Sequence, residues 1–117
     1  MYAFKTTEQV VDTDFEGPED STEIGRWWKH PNLHGWMEEL YREKQGGQVV
    51  FDCATVRLDL ADLDALQEAV EEGGLPVTRG FFFGESQPED RDLDLAFIAK
   101  AREAIAEGFV VFYDSWW

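Results

Sequence analysis

The chain has one cysteine, Cys53, and so no means of forming an internal disulfide, which fits a reducing compartment. It has no apolar run near the roughly 18 residues that suggest a membrane span. Its first residues, MYAFKTTEQVV, lack the basic and apolar regions of a secretory signal. A cytoplasmic, membrane-independent protein is the expectation. The phosphate-binding patterns G-x-x-x-x-G-K-[ST] and strand-following G-x-G-x-x-G are also missing. Ser21, Ser86 and Ser115 lie in no nucleophile elbow, and Cys53 falls inside a strand-like segment, where a small buried hydrophobe is the usual role. No cofactor and no catalytic residue is assigned. Basic residues are scarce too, 10 against 25 acids. Affinity for phosphate backbones comes from Lys and Arg, so direct nucleic-acid binding is not expected.

What is present is negative charge, and it is segregated. Residues 8–23 hold seven acids and no base, while residues 59–94 hold eleven acids against Arg79 and Arg91. Net charge is −15, so these two stretches account for all of it. A directional field of this kind bears on partners, association and solubility rather than on fold. The bland explanation is that charge keeps an aromatic-rich chain soluble.

At 117 residues with 44% hydrophobic content, the chain suits one domain with a real core. Residues 1–23 read as an acidic, partly irregular arm, with a possible short strand at Tyr2–Phe4, and residues 24–117 as a single globular domain. Gly17, Pro18 and Ser21 break regularity in the arm, and like charges repel.

Three amphipathic helices follow from periodicity. In PNLHGWMEELYREKQGG, Leu33, Trp36, Met37, Leu40 and Tyr41 fall on one face, Pro31 suits the first helical position, and Gly46-Gly47 ends it. A second helix is predicted over about 60–72, capped by Asp59, with Leu63, Leu66 and Val70 inward and Gly73-Gly74 as the stop. A third covers roughly 89–107, with Leu93, Phe97, Ala101, Ala104 and Ile105 inward. Asp94 joins that inner arc if the helix starts well before it.

QVVFDCATVRL (48–58) reads as a strand, with Val50, Ala54, Val56 and Leu58 on one face. FVVFYDSWW reads as a final strand apolar on both faces, hence central. Phe81–Phe83 form a short strand or a buried loop, and Trp116 and Trp117 are expected to pack inward. Helical crossovers allow some parallel pairs. The fold class is therefore α+β, a two-layer sandwich with about three helices on a small mixed sheet.

Three constellations bear on chemistry. His30, His34 and Glu38 are spaced i, i+4, i+8, a plausible Zn²⁺ stripe, but His30 precedes Pro31 and no Cys pair completes a ligand set. The ordinary alternative is a boundary histidine hydrogen-bonded near Trp36 or Tyr41. Glu89-Asp90-Arg91-Asp92-Leu93-Asp94 lacks the turn glycine and bidentate glutamate of a calcium loop and suits a helix N-terminus instead. No metal site is assigned. On the second helix, Asp64, Glu68, Glu71 and Glu72 occupy one arc. Joined with Asp12, Asp14, Glu16, Glu19 and Asp20 of the arm, they make a candidate protein-binding surface, with partial mimicry of DNA as one form of it. A solvated helix face is the plainer reading. The five tryptophans add a second interaction cue.

KHPNLHGWMEELY, VRLDLADLDAL, GFFFGES, DLAFIAKAREAIAEG and VFYDSWW resemble a family of small phage and prophage proteins without established function. The resemblance covers most of residues 28–117 and does not extend to the acidic stretch before residue 24. Members are sometimes labelled phosphoglycerate kinase, a label this short chain without nucleotide motifs does not support. The resemblance implies a phage context and transfers no catalytic residue. Two functions follow as expectations. The first is a non-catalytic accessory or inhibitor protein that presents its negative surface to a basic host or phage protein. The second is a small metal-dependent enzyme using His34 and nearby carboxylates.

Overall fold

A computed structural model describes residues 1–27, 30–51, 53–76 and 89–115. The elements run β1 (Tyr2–Thr6), β2 (Thr22–Arg26), α1 (Pro31–Glu43), β3 (Val56–Leu58), α2 (Leu60–Glu72), α3 (Asp90–Ala106) and β4 (Val110–Asp114). This is an α+β domain. Among the described residues the sheet order is β2-β1-β4-β3 and every pairing is antiparallel, in place of the mixed sheet expected. The reason is β1: the strand from one end of the chain inserts between β2 and β4 and runs antiparallel to both, while β3 is followed by two helices, α2 and α3, before the chain returns antiparallel beside it as β4. Phe81–Phe83, Trp28, Trp116 and Trp117 lie outside the described residues.

Alternation along β4 divides the sheet into two faces. Val111 and Tyr113 face the helices together with Ala3, Val56 and Leu58, and all five are buried in the main core. Phe112 points the other way, stacked on Phe4 and met edge-on by Phe15 at 5.1 Å. Being covered on both faces, β4 takes the interior position its sequence predicts.

The helices form where their periodicity places them. Leu33, Met37, Leu40 and Tyr41 of α1 are buried, as are Leu63, Leu66 and Val70 of α2. Asp59 caps α2 through a reciprocal box: its carboxylate accepts from the Asp62 N–H while Asp62 accepts from the Asp59 N–H. Gly73 closes the helix at φ 67°, in the left-handed region that glycine adopts without steric cost. Lys44 then ties α1 to α2, reaching Asp62 at 2.6 Å.

Two expectations change. Only the last three residues of the 48–58 segment join the sheet; before that the chain wraps across α1, with Val50 exposed and Phe51 buried. Cys53 is exposed at φ 55°, not a buried strand residue. In α3, Leu93 is 48% exposed and Asp94 is 1% exposed. Because the helix starts at Asp90, Asp94 rather than Leu93 shares the inner arc with Phe97, Ile98, Ala101 and Ala104.

The segment expected as an irregular arm is irregular between β1 and β2 but bonded to the sheet. The Asp14 N–H donates to the Thr55 carbonyl and the Arg57 N–H to the Asp12 carbonyl, flanking a bridge between Thr13 and Val56. These bonds cover the open edge of β3.

Candidate functional site

The two histidines of α1 and its cap turn apart. His34 is buried; Tyr113 Oη lies 2.8 Å from its Nδ1 and the Phe51 carbonyl 3.0 Å from its Nε2. A carbonyl only accepts, so Nε2 carries the proton and the tyrosine hydroxyl donates to Nδ1. The ring also stacks on Phe51 at 4.8 Å between centroids. Burial holds the Tyr113 hydroxyl well above its usual range, which keeps it a donor. His34 is hydrogen-bonded as the ordinary alternative expected, but it is buried rather than at a boundary, and its partners are Tyr113 and Phe51 rather than Trp36 or Tyr41. Glu38, the third member of the stripe, points to Arg42 at 3.4 Å. Among the described residues no group of three or more His, Cys, Asp or Glu side chains is arranged to hold a metal.

His30 sits at the head of α1 without a side-chain capping bond. Its Nε2 lies 2.9 Å from Asp94 Oδ2, and its Nδ1 lies 3.7 Å from Asp90 Oδ2. Trp27 Nε1 donates to the other Asp94 oxygen at 2.8 Å. Burial raises the Asp94 carboxyl above its ordinary value, and the His30 and Trp27 bonds lower it only in part. Sequence reasoning did not link these residues. The available signal was Asp94 in phase with Phe97 and Ala101, which demands a polar partner inside the core. An imidazole between two carboxylates can hold and orient a proton, but its Nε2 is bound to Asp94 rather than aimed at a nucleophile. The cluster locks the β2–α1 corner onto α3.

The predicted acidic residues divide into two groups. Three arm carboxylates serve the fold. Asp12 pairs with Arg57, whose hydrogen bond and charge hold it below its usual pKa. Asp14, at φ 57°, accepts from the Tyr41 hydroxyl and from the Gly47 N–H at 2.8 Å. Asp20 accepts from the hydroxyls of Thr6 and Thr7 and the Thr7 N–H, which lower its pKa in turn. Glu16 and Glu19 are exposed and line a shallow depression with Glu8, Val10, Val11 and Phe15.

The α2 carboxylates have the opposite character. Asp64, Glu68, Glu71 and Glu72 are all exposed and line one open depression with Gln67 and Arg102. Arg102, from α3, reaches Asp64 at 2.7 Å and Gln67 at 2.9 Å, and Gln67 in turn donates to Glu71. Arg102 thus stands among four carboxylates and pairs with Asp64. They do not merge with the arm: Phe15 covers the Phe112 face of the sheet, whereas α2 packs on the Val111–Tyr113 face. Glu8, Glu16 and Glu19, grouped with Phe15, are therefore set apart from the α2 arc, whereas Asp12 and Asp14 lie at the β3 edge beside Arg57 and Tyr41.

Next to the acidic depression is an apolar one that sequence reasoning missed. A cleft of about 400 Å³ opens between β3, the start of α2 and the end of α3, lined chiefly by Leu58, Leu60, Ile105, Phe109 and Val111. Leu60 is 49% exposed there.

The fold and these surfaces define a small α+β domain with exposed acidic patches and an apolar cleft. The chain matches no family model, no curated protein and no solved structure. No helix among the described residues is long and apolar enough to cross a membrane.

Proposed function

We propose that this protein is a non-catalytic binding factor, an accessory or inhibitor that presents a negative surface to a basic host or phage protein in the cytoplasm. The observation that carries the reading is the outer face of α2, where Asp64, Glu68, Glu71 and Glu72 stand exposed along one depression and Arg102 pairs with Asp64. Like charges gathered along one helix repel one another, a cost the isolated fold does not recover. A cationic partner recovers it and gains rapid, charge-steered association. The arm contributes less than its charge suggests, because Asp12, Asp14 and Asp20 have partners within the fold. The phage setting is part of the proposal and comes from the resemblance of the sequence phrases alone. No observation favours the second reading, an enzyme built on His34, since both its ring nitrogens are engaged by Tyr113 and Phe51.

The test is affinity capture from host lysate at low and high salt. Wild type is compared with a Glu68→Gln/Glu71→Gln/Glu72→Gln variant and with a Glu8→Gln/Glu16→Gln/Glu19→Gln variant. A partner held at low salt by wild type and the arm variant, but lost from the α2 variant, supports the reading. Capture that all three proteins share at both salts refutes it.

A further inference from the structure

The apolar cleft and the acidic depression are two ends of one seam. Arg102 meets Asp64 and Gln67, while Ile105, one turn later on α3, lines the cleft with Leu60 and Ala61. The two helices therefore run antiparallel, and the seam between them passes from apolar to acidic along α2. Leu60, Asp64 and Glu68 are spaced i, i+4, i+8 and form a single stripe, which Glu71 and Glu72 extend. From Leu60 the carboxylates begin about 6 Å along the axis and end about 18 Å along it, at 1.5 Å per residue.

On the far rim of the cleft Lys5 lies over the Phe109 ring at 4.4 Å, while Arg57 in the lining is neutralised by its pairing with Asp12 and has Asp59 beside it. A basic chain leaving the cleft is therefore attracted along α2 and repelled toward Lys5. This polarity argues for one kind of occupant.

Resting on the acidic-surface reading, we infer that the α2–α3 seam is a docking groove for a protein segment bearing one large apolar side chain followed by basic residues. The apolar side chain seats against Leu60, Ile105 and Phe109, and the basic residues lie over Asp64, Glu68, Glu71 and Glu72. The charge spacing sets the pattern. Basic positions fall about two to five residues from the anchor in an extended segment, or about four to twelve in a helical one. Charge complementarity provides attraction and direction, and the desolvated anchor provides most of the affinity, as at other interfaces.

The probe is a synthetic peptide with one phenylalanine and a run of lysines, made with the lysines on either side, titrated into the full chain and followed by amide NMR shifts and fluorescence anisotropy. Expected shifts centre on Leu60, Ile105 and Phe109 and continue to Glu72. Replacing the peptide's phenylalanine by serine, or Leu60→Ser in the protein, weakens binding about tenfold or more without altering its salt dependence. Glu68→Gln/Glu71→Gln weakens binding and flattens that dependence. Leu60 is half exposed, so its replacement leaves the fold intact, which an unchanged unfolding midpoint verifies. Equal binding by a lysine-only peptide, unaffected by Leu60→Ser, overturns the groove while leaving the acidic surface standing. Absence of any lysine-dependent binding overturns both. Shifts at the cleft that grow with protein concentration alone assign it to a second copy of the chain and overturn the proposal.

Discussion

The imidazole of His30 and the carboxylate of Asp94 meet at 2.9 Å inside the core, 64 residues apart in sequence, with 3% and 1% of their side chains exposed. Neither is stable there alone. The pair compensates two desolvation costs at once, and the Trp27 indole completes the second Asp94 oxygen. Asp94→Ala is accordingly expected to cost about 3–5 kcal/mol, the range for breaking a buried pair and stranding its partner. Denaturant unfolding measures it; a loss within experimental error of zero would mean that the cluster is not a structural lock.

The same carboxyl gives a pH signature. Burial raises its pKa in the folded state, so the native protein holds that proton to higher pH than the unfolded chain does. Its contribution to stability is full below the unfolded value of about 3.9 and is lost as pH rises through the raised folded value. The groups facing it are His30, Asp90 and the Trp27 N–H. Comparing wild type with Asp94→Asn across mildly acidic pH should show the wild-type advantage shrinking as pH rises. An advantage that grows over that window would reverse the assigned shift. Asp59, whose pKa is lowered, contributes in the other sense and is unchanged between the two proteins.

Tyr113 is predicted to matter through one atom. Tyr113→Phe keeps the ring among Val56 and Ala3 but removes the donor to His34 Nδ1. A buried acceptor left unsatisfied costs about 1–3 kcal/mol. Recovery of that loss in a His34→Leu/Tyr113→Phe double variant, read as a coupling energy, would identify the bond itself as the cause. Additive losses would assign the effect to packing instead.

Gly46 carries the attachment of the acidic segment. A β-carbon there would fall within the Tyr41 ring, whose hydroxyl donates to Asp14 and accepts from the Gln48 N–H. Gly46→Ala should displace the ring, at about 1–3 kcal/mol for overpacking, and release the Asp14 contact. Faster amide exchange at Asp14 and Gly47 is the readout, and unchanged exchange there would contradict it.

Much of this architecture is legible in the sequence. The helices are set by apolar spacing, and Asp59 announces α2 because a carboxylate at that position satisfies an orphan backbone N–H. β2 is harder to see: TEIGR has one apolar side chain and no alternation, because this exposed edge strand buries little. The 48–58 segment has strong strand composition, yet Phe51 leaves the ladder to fill the space between His34, Tyr41 and Tyr113. Long-range partners of that kind leave no local pattern. The same limit applies to function. The charge arc on α2 follows from helical spacing, whereas the places of Asp12 and Asp14 in the fold depend on long-range partners, Arg57 and Tyr41.

The proposed binding role depends most directly on the electrostatics of α2. The decisive measurement is the dissociation constant for a captured basic partner as a function of salt, for wild type and for the Glu68→Gln/Glu71→Gln/Glu72→Gln variant. The account predicts steep weakening with salt for wild type and a much shallower dependence for the variant, with the fold of both unchanged. Identical salt dependence in the two proteins would contradict it.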